Sequence, residues 1–295
     1  MENNVEQMTQ TPPRKGGASR VVIVLVCALI ALVLGVVAGI LVSPHLPTAR
    51  IDATLSGKTT VDEAGLDQVM GIFTFKGERI PVTVREAILE STTIEAARNA
   101  DGTYDVPSAD TVLSIARNHV LTADAEERGL TANEEDAKAY ALQTLGTQDF
   151  SQVAAGYSMS VEQVTELMTR SALLGKLRDQ VVTTSAVAEP VPPEAPGEGK
   201  ENEPQQAYAA YIMSLVGDEW DPNANSWARE DGPYRQQLKD YTISNEAATY
   251  AAAQTAYYVA YSQYSKVQQQ VSSEWTDYVN KLLANVPVEL VTLVA

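Results

Sequence analysis

Cysteine is nearly missing from this chain: Cys27 stands alone among 295 residues. A single thiol closes no disulfide within the chain and supports neither a cysteine-based metal site nor a catalytic dithiol. Histidine is almost as scarce, at His45 and His119 only. His45 falls in a stalk-like stretch. His119 lies on the apolar side of a predicted helix, where a packed, semi-buried imidazole is the expected reading. Positive charge is also in deficit, with 21 basic residues against 38 acidic, a net charge of −17 and a pI near 4.5. Arg14, Lys15, Arg20, Glu2 and Glu6 all precede residue 43, so the rest carries 18 basic against 36 acidic residues. Such a field repels phosphate backbones and argues against nucleic acid as a partner. No glycine-rich phosphate loop follows a predicted strand. The segment "DPNAN" (221–225) begins like a calcium loop, but Ser226 and Gly232 stand where that loop needs Gly and Glu. Paired carboxylates such as Glu126/Glu127 and Glu134/Glu135 sit at helix ends, where they match the dipole or face water. No catalytic residue, metal site or cofactor is implied.

One long apolar run is present. "VVIVLVCALIALVLGVVAGILVS" (21–43) has 23 residues without a charge, roughly 34 Å as a helix against a hydrocarbon core of about 30 Å. A cleaved signal peptide has a shorter apolar region and ends in a small-x-small site, so the run is read as a single transmembrane helix. Val26 before Cys27 departs from a lipid-attachment motif. Gly35 and Gly39 form a GxxxG pair. The basic flank sets residues 1–20, a polar disordered tail, in the cytoplasm and the C-terminal part outside the cell membrane. A stalk follows over 44–59.

Residues 60–182 read as a helical domain. Thr60–Glu63 and Thr83–Glu86 have the spacing of capping boxes, each predicting a helix start. Between them, "IFTFKGERIPV" (72–82) alternates around a Lys-Gly turn, giving a small hairpin or an extended loop, with Pro81 confined to an edge. Val112, Ile115, Ala116, Val120 and Ala123 share one helical face after Ser108. Gly129 occupies a left-handed C-cap position, Thr131–Glu134 caps the next helix, and Gly146 ends it. Ser160–Gln163 caps a longer helix with Val164, Leu167, Leu174 and Val181 on one stripe. Residues 183–206, rich in Pro and Glu, read as a solvated linker.

Beyond residue 207 lie ten of the 13 tyrosines and all three tryptophans. A short helix and a turn-rich segment (207–244) lead to a long helix over about 245–285, within a C-terminal segment ending at 295. On it Tyr257, Tyr261, Tyr264, Val271, Trp275, Tyr278 and Leu282 follow a helical seam. Such a seam needs a partner, either the earlier helices or a second copy of the chain. Its rings serve either as core or, with Met159 and Met168, as lining for extended client chains. Aromatic and methionine side chains give large apolar area without demanding one geometry.

The order "AEERGL", "TANEEDAKAYALQTLG", "DFSQVAAGYSMSVEQVTELMTRSALLGKLRDQVV" resembles the N-terminal domain of SurA-like chaperones, of the trigger-factor peptide-binding superfamily and the membrane-anchored foldases. The likeness covers about 84–182. It implies a mainly α fold, a SurA/trigger-factor-like peptide-binding domain completed by the long C-terminal helix folding back on the N-terminal helices. The parvulin-type isomerase often inserted in that family has no room here: 62 residues run from Thr183 to Ser244, about 24 of them linker, and the paired histidines are missing. The expected function is a membrane-anchored, extracytoplasmic chaperone-like module binding unfolded or nascent secreted proteins, without isomerase activity. Its candidate client-binding residues are Met159, Met168, Tyr257, Tyr261, Tyr264, Trp275 and Tyr278. The alternative is an envelope scaffold that homodimerises or docks through the same helix.

Overall fold

The computed structural model describes residues 50–200 and 202–291. The chain divides into two compact units, Met1–Asp179 with Val279–Ala295, and Gln180–Tyr278.

In the first unit, the capping box expected at Thr60–Glu63 is not made. Thr60–Val61 form strand β1, and Asp62 instead caps a 3-10 turn, Glu63–Asp67, by accepting from the Gly65 N–H at 3.0 Å. The pairing buries Val61 against Gly65, where a Cβ would lie 2.7 Å from the Val61 Cβ. The Lys-Gly turn does close a hairpin of β2 (Val69–Phe75) and β3 (Glu78–Thr83). Lys76 and Gly77 both take positive φ, at 50° and 84°, as a two-residue turn matching strand twist requires. Strand β4 (Tyr104–Asp105) pairs with β1.

The main sheet has the order β3-β2-β7, and its last strand, β7 (Val288–Leu290), comes from the far end of the chain. Pro81 accordingly sits on an edge strand. Val291 N–H donates to the Met70 carbonyl at 3.0 Å and Thr74 N–H to the Pro287 carbonyl at 2.9 Å. Across the central strand, the Arg79 guanidinium meets the Glu289 carboxylate in a two-pronged ion pair. The core beneath holds Leu55, Leu66, Phe73, Val84, Val112 and Val291.

Helix α1 (Val84–Leu89) starts on the expected Thr83/Glu86 capping box. A short α2 (Ile94–Ala97) follows. Helix α3 (Ala109–Glu127) packs on the sheet so closely that a Cβ on Gly71 would lie 2.6 Å from a Val112 methyl. Its C-terminus closes as a Schellman motif: Gly129, at φ 75°, donates to Glu126 O at 2.8 Å and Leu130 to Ala125 O at 3.0 Å. Helix α4 (Glu134–Leu145) is capped not by Thr131 but by Asn133, whose Oδ1 accepts from Glu135 and Asp136 N–H. Asp136 closes that box by accepting from the Asn133 N–H. Asn133 stands directly before the first helical residue, so its Oδ1 meets N–H groups that lie beyond the reach of Thr131. Helices α5 (Phe150–Tyr157) and α6 (Val161–Val181) complete a helical cluster around Ala137, Ala141, Phe150 and Val164.

The second unit contains α7 (Gln206–Val216), a two-strand turn β5 (Trp220–Asp221) and β6 (Ser226–Trp227), α8 (Pro233–Leu238), and most of the 34-residue α9 (Tyr250–Leu283). Asp221 and Asn223, weighed as a calcium loop in the sequence, instead make the turn: Asp221 Oδ1 accepts from Asn223 and Ala224 N–H. Ala252, Ala253, Ala256, Val259 and Ala260 of α9 are buried with Tyr208, Ile212, Trp220, Tyr234 and Leu238. The small residues let the helices approach closely. The buried carboxylate of Glu219 caps α8, accepting from the Tyr234 and Arg235 N–H groups at 3.0 Å each.

Two expectations are corrected. The fold is mixed α/β, about 55% helix and 11% strand, rather than mainly α. The β-rich part, over 60–83 with its partner strands, forms because alternation and a positive-φ turn there outweigh helix-start spacing. The transmembrane helix expected over 21–43 lies outside the described residues. Among the described residues no helix is long and apolar enough to cross a membrane, so a single-pass cell-membrane placement is not supported. The longest, α9, is rich in Tyr, Gln and Ser, and α6 carries charges along its length.

Candidate functional site

The stripe that α9 buries in the second unit is made of alanines and valines, which leaves its large rings outside. Tyr258 is 61% exposed and Tyr261 41% exposed, and Tyr257 and Tyr264 are half-buried. Their centroids form a continuous ladder: Tyr257 lies 5.6 Å from Tyr258 and 5.9 Å from Tyr261, and Tyr261 lies 6.0 Å from Tyr264. Three turns further on, Trp275 stacks on Tyr278 at 5.8 Å and 21°. Residues three and four apart share a helix face, so the spacing read in the sequence becomes contact between neighbouring rings.

This surface is also neutral. Between Tyr250 and Ser273 the only charged residue is Lys266, and Ser and Gln fill the positions among the tyrosines. In a chain with a net charge of −17, such a stretch is an electrostatic gap. A surface of tyrosine mixed with small polar residues offers rigid, amphipathic contact area at low entropic cost and adaptable hydrogen bonding.

The helix is anchored in its own unit at both ends of this surface. At its start, Gln205 and Ala248 exchange backbone hydrogen bonds at 2.8 and 3.2 Å, and Tyr250 packs on Tyr208 at 5.6 Å. Further along, the Glu274 carboxylate accepts from the Thr184 hydroxyl at 2.5 Å and N–H at 3.1 Å. It accepts also from the Thr183 N–H at 2.7 Å and hydroxyl at 3.1 Å. These bonds, the Thr184 hydroxyl foremost, pull its pKa down to about 2.

Of the residues singled out in the sequence, Tyr257, Tyr261 and Tyr264 are brought together, and Trp275 with Tyr278 forms a second ring pair. Met168 is core, 3% exposed among Leu167, Val164 and the α4 alanines, and Met159 packs against the same cluster in the first unit. Burial closes Met168 to a client, whereas Met159 stays half-buried just ahead of α6. The most exposed ring, Tyr258, was missed: it stands one residue off the seam, and only the Tyr-Tyr doublet marks it. His119 is a packed ring, edge-on to Phe73 at 5.3 Å and Phe75 at 5.5 Å. Burial lowers its pKa against the pull of Glu78 and Glu126. Among the described residues, no cluster of three His, Cys, Asp or Glu is placed to hold a metal.

No protein-family model, curated protein or solved structure matches this chain.

Proposed function

We propose that this protein is a chaperone- or foldase-like module that holds unfolded or nascent polypeptide on the tyrosine surface of α9, without isomerase activity. The observation carrying the reading is the ladder of Tyr257, Tyr258, Tyr261 and Tyr264, with Tyr258 and Tyr261 exposed and the other two half-buried, on a stretch whose one charge is Lys266. Rings that a single-purpose core would bury are instead held in register on a helix pinned by its alanine stripe. Weak, sequence-tolerant binding suits such a surface, because each ring adds apolar area without fixing a partner's geometry. The order of caps and helices over 84–182, similar to the SurA-like domains, supports the same reading. The acidic remainder of the chain keeps a protein with exposed tyrosines soluble.

The test is aggregation of an unfolded client, reduced and denatured, followed by light scattering with the full chain present at increasing ratio. The reading expects aggregation slowed in proportion to added protein; no effect at a tenfold excess refutes it. The exposure of Tyr258 and Tyr261 also favours a second reading, a scaffold that pairs with another copy through the ladder. Sedimentation then shows a dimer, and the light-scattering effect vanishes where the dimer forms.

A further inference from the structure

Residues 183–206, expected as a solvated linker, are not free of the second unit. From Ser185 to Gly197 the chain has no helix or strand, and among the described residues 185–196 make no backbone–backbone hydrogen bond. It is nevertheless seated. The Tyr211 hydroxyl donates to the Val191 carbonyl at 2.7 Å, and the Tyr208 hydroxyl donates to the Glu194 carbonyl at 3.1 Å. Tyr208 and Tyr211 are three apart on α7 and share one face. The carbonyls they hold are also three apart, the repeat of a polyproline II helix, and the strand runs antiparallel to α7.

Burial along the strand has the same period. Pro190 and Pro196 are half-buried and Pro193 is buried, whereas the residues between them face solvent, Val191 at 74% exposure. Proline fixes φ near that of polyproline II, so "PVPPEAP" (190–196) is pre-set for this shape. An aromatic face whose hydroxyls grip carbonyls one turn apart, with prolines set between, is the way grooves recognise proline-rich extended peptides. Here the peptide belongs to the chain itself.

We propose that the Tyr208/Tyr211 face of α7 is a receptor for extended proline-rich segments of other polypeptides, kept closed by residues 190–196 as a resident ligand. The resident strand is held by two phenol hydrogen bonds and has its three prolines withdrawn from solvent, a pattern that an incoming strand with prolines three apart can reproduce. Tethering gives the resident strand a high effective concentration, so an outside peptide competes at a disadvantage until the strand is weakened or the competitor is abundant. The inference does not rest on the tyrosine ladder, and stands whether or not α9 binds unfolded chains.

The test uses the full chain and a fluorescent peptide of sequence 186–198, followed by anisotropy. Wild-type protein is expected to bind it weakly. Pro190→Gly with Pro193→Gly loosens the resident strand and is expected to tighten peptide binding at least about tenfold, since apparent affinity scales with the fraction of open sites. Adding Tyr208→Phe and Tyr211→Phe, which removes only the hydroxyls, is expected to abolish that gain. No tightening on loosening the strand, or a gain that survives loss of both hydroxyls, overturns the proposal. A second readout is independent of how the variants fold. Saturating unlabelled peptide with its glutamates replaced by glutamine, added to wild-type protein, is expected to speed cleavage of the chain after Glu194 by a glutamate-specific protease at least fivefold. An unchanged cleavage rate overturns displacement.

Discussion

Replacing Tyr258 and Tyr261 by serine separates the proposed function from stability. At 61% and 41% exposure the two rings contribute little to the folded core. A tyrosine ring buries about 150–250 Å² when fully covered, so together they offer a client roughly 200 Å² of further burial. At about 25 cal/mol per Å² that is a ceiling near 5 kcal/mol. With half of it covered by a mobile client, about 2–3 kcal/mol is left, or a loss of roughly 30- to 150-fold in affinity. The double variant should therefore melt within about 2 °C of wild type, as surface substitutions do. In the light-scattering assay it should need at least ten times more protein for the same protection. Tyr258→Phe with Tyr261→Phe, which keeps the apolar area, should retain most of the effect. Full protection by the serine variant, with unchanged melting, would refute the assignment of the ladder as the binding surface. A large fall in melting temperature would instead show the rings to be structural.

Other consequences follow from the packing. A Cβ on Gly232 would fall 2.0 Å from Glu219 Oε2, so Gly232→Ala should push out the carboxylate that caps α8 and cost about 2–4 kcal/mol in urea unfolding. Glu219→Ala also loses the cap, but adding Gly232→Ala to it should cost little more, and additive losses would sink the account. Gly71→Ala meets a Val112 methyl at 2.6 Å and should destabilise by about 1–3 kcal/mol. Val112→Ala in the same chain should relieve part of that loss, and no relief in the melting curve would contradict the close sheet–helix approach. The Glu274 carboxyl titrates at about 2 in the fold against 4.5 ordinarily, so the unfolded chain takes up its proton first as pH falls. Its contribution is thus complete above about pH 4.5 and lost progressively down to about pH 2, and Glu274→Gln should flatten that part of the acid-denaturation profile. An identical profile for both proteins would rule out the Thr183–Thr184 clasp as a source of acid sensitivity.

Much of the local structure could be read from residue order because it rests on chemistry within a few residues. Thr83 with Glu86, Ser160 with Gln163, Gly129 and Gly146 each set a boundary through a side chain or a φ angle that no distant contact needs to supply. The same local logic misplaced the helix start at Thr60 and the cap at Thr131. Two residues with matching spacing compete there with a buried strand pairing in one case and a nearer asparagine in the other. The seam of tyrosines was legible as a period, but a period gives only a face and not what covers it.

What the sequence determined by itself was the inventory: capped helices, a Lys-Gly hairpin, a neutral tyrosine-rich helix and a proline-rich segment ahead of it. Tertiary structure alone decided that β7 returns across some two hundred residues to complete the hairpin's sheet, since strand pairing depends on which edge is left open once the chain has packed. It also decided that α9 buries its alanines rather than its rings, because the neighbouring helices α7 and α8 bring the bulk and leave room only for small side chains. The proline segment reads as solvent-loving in composition. Only its seating on two phenol groups three residues apart made it a ligand.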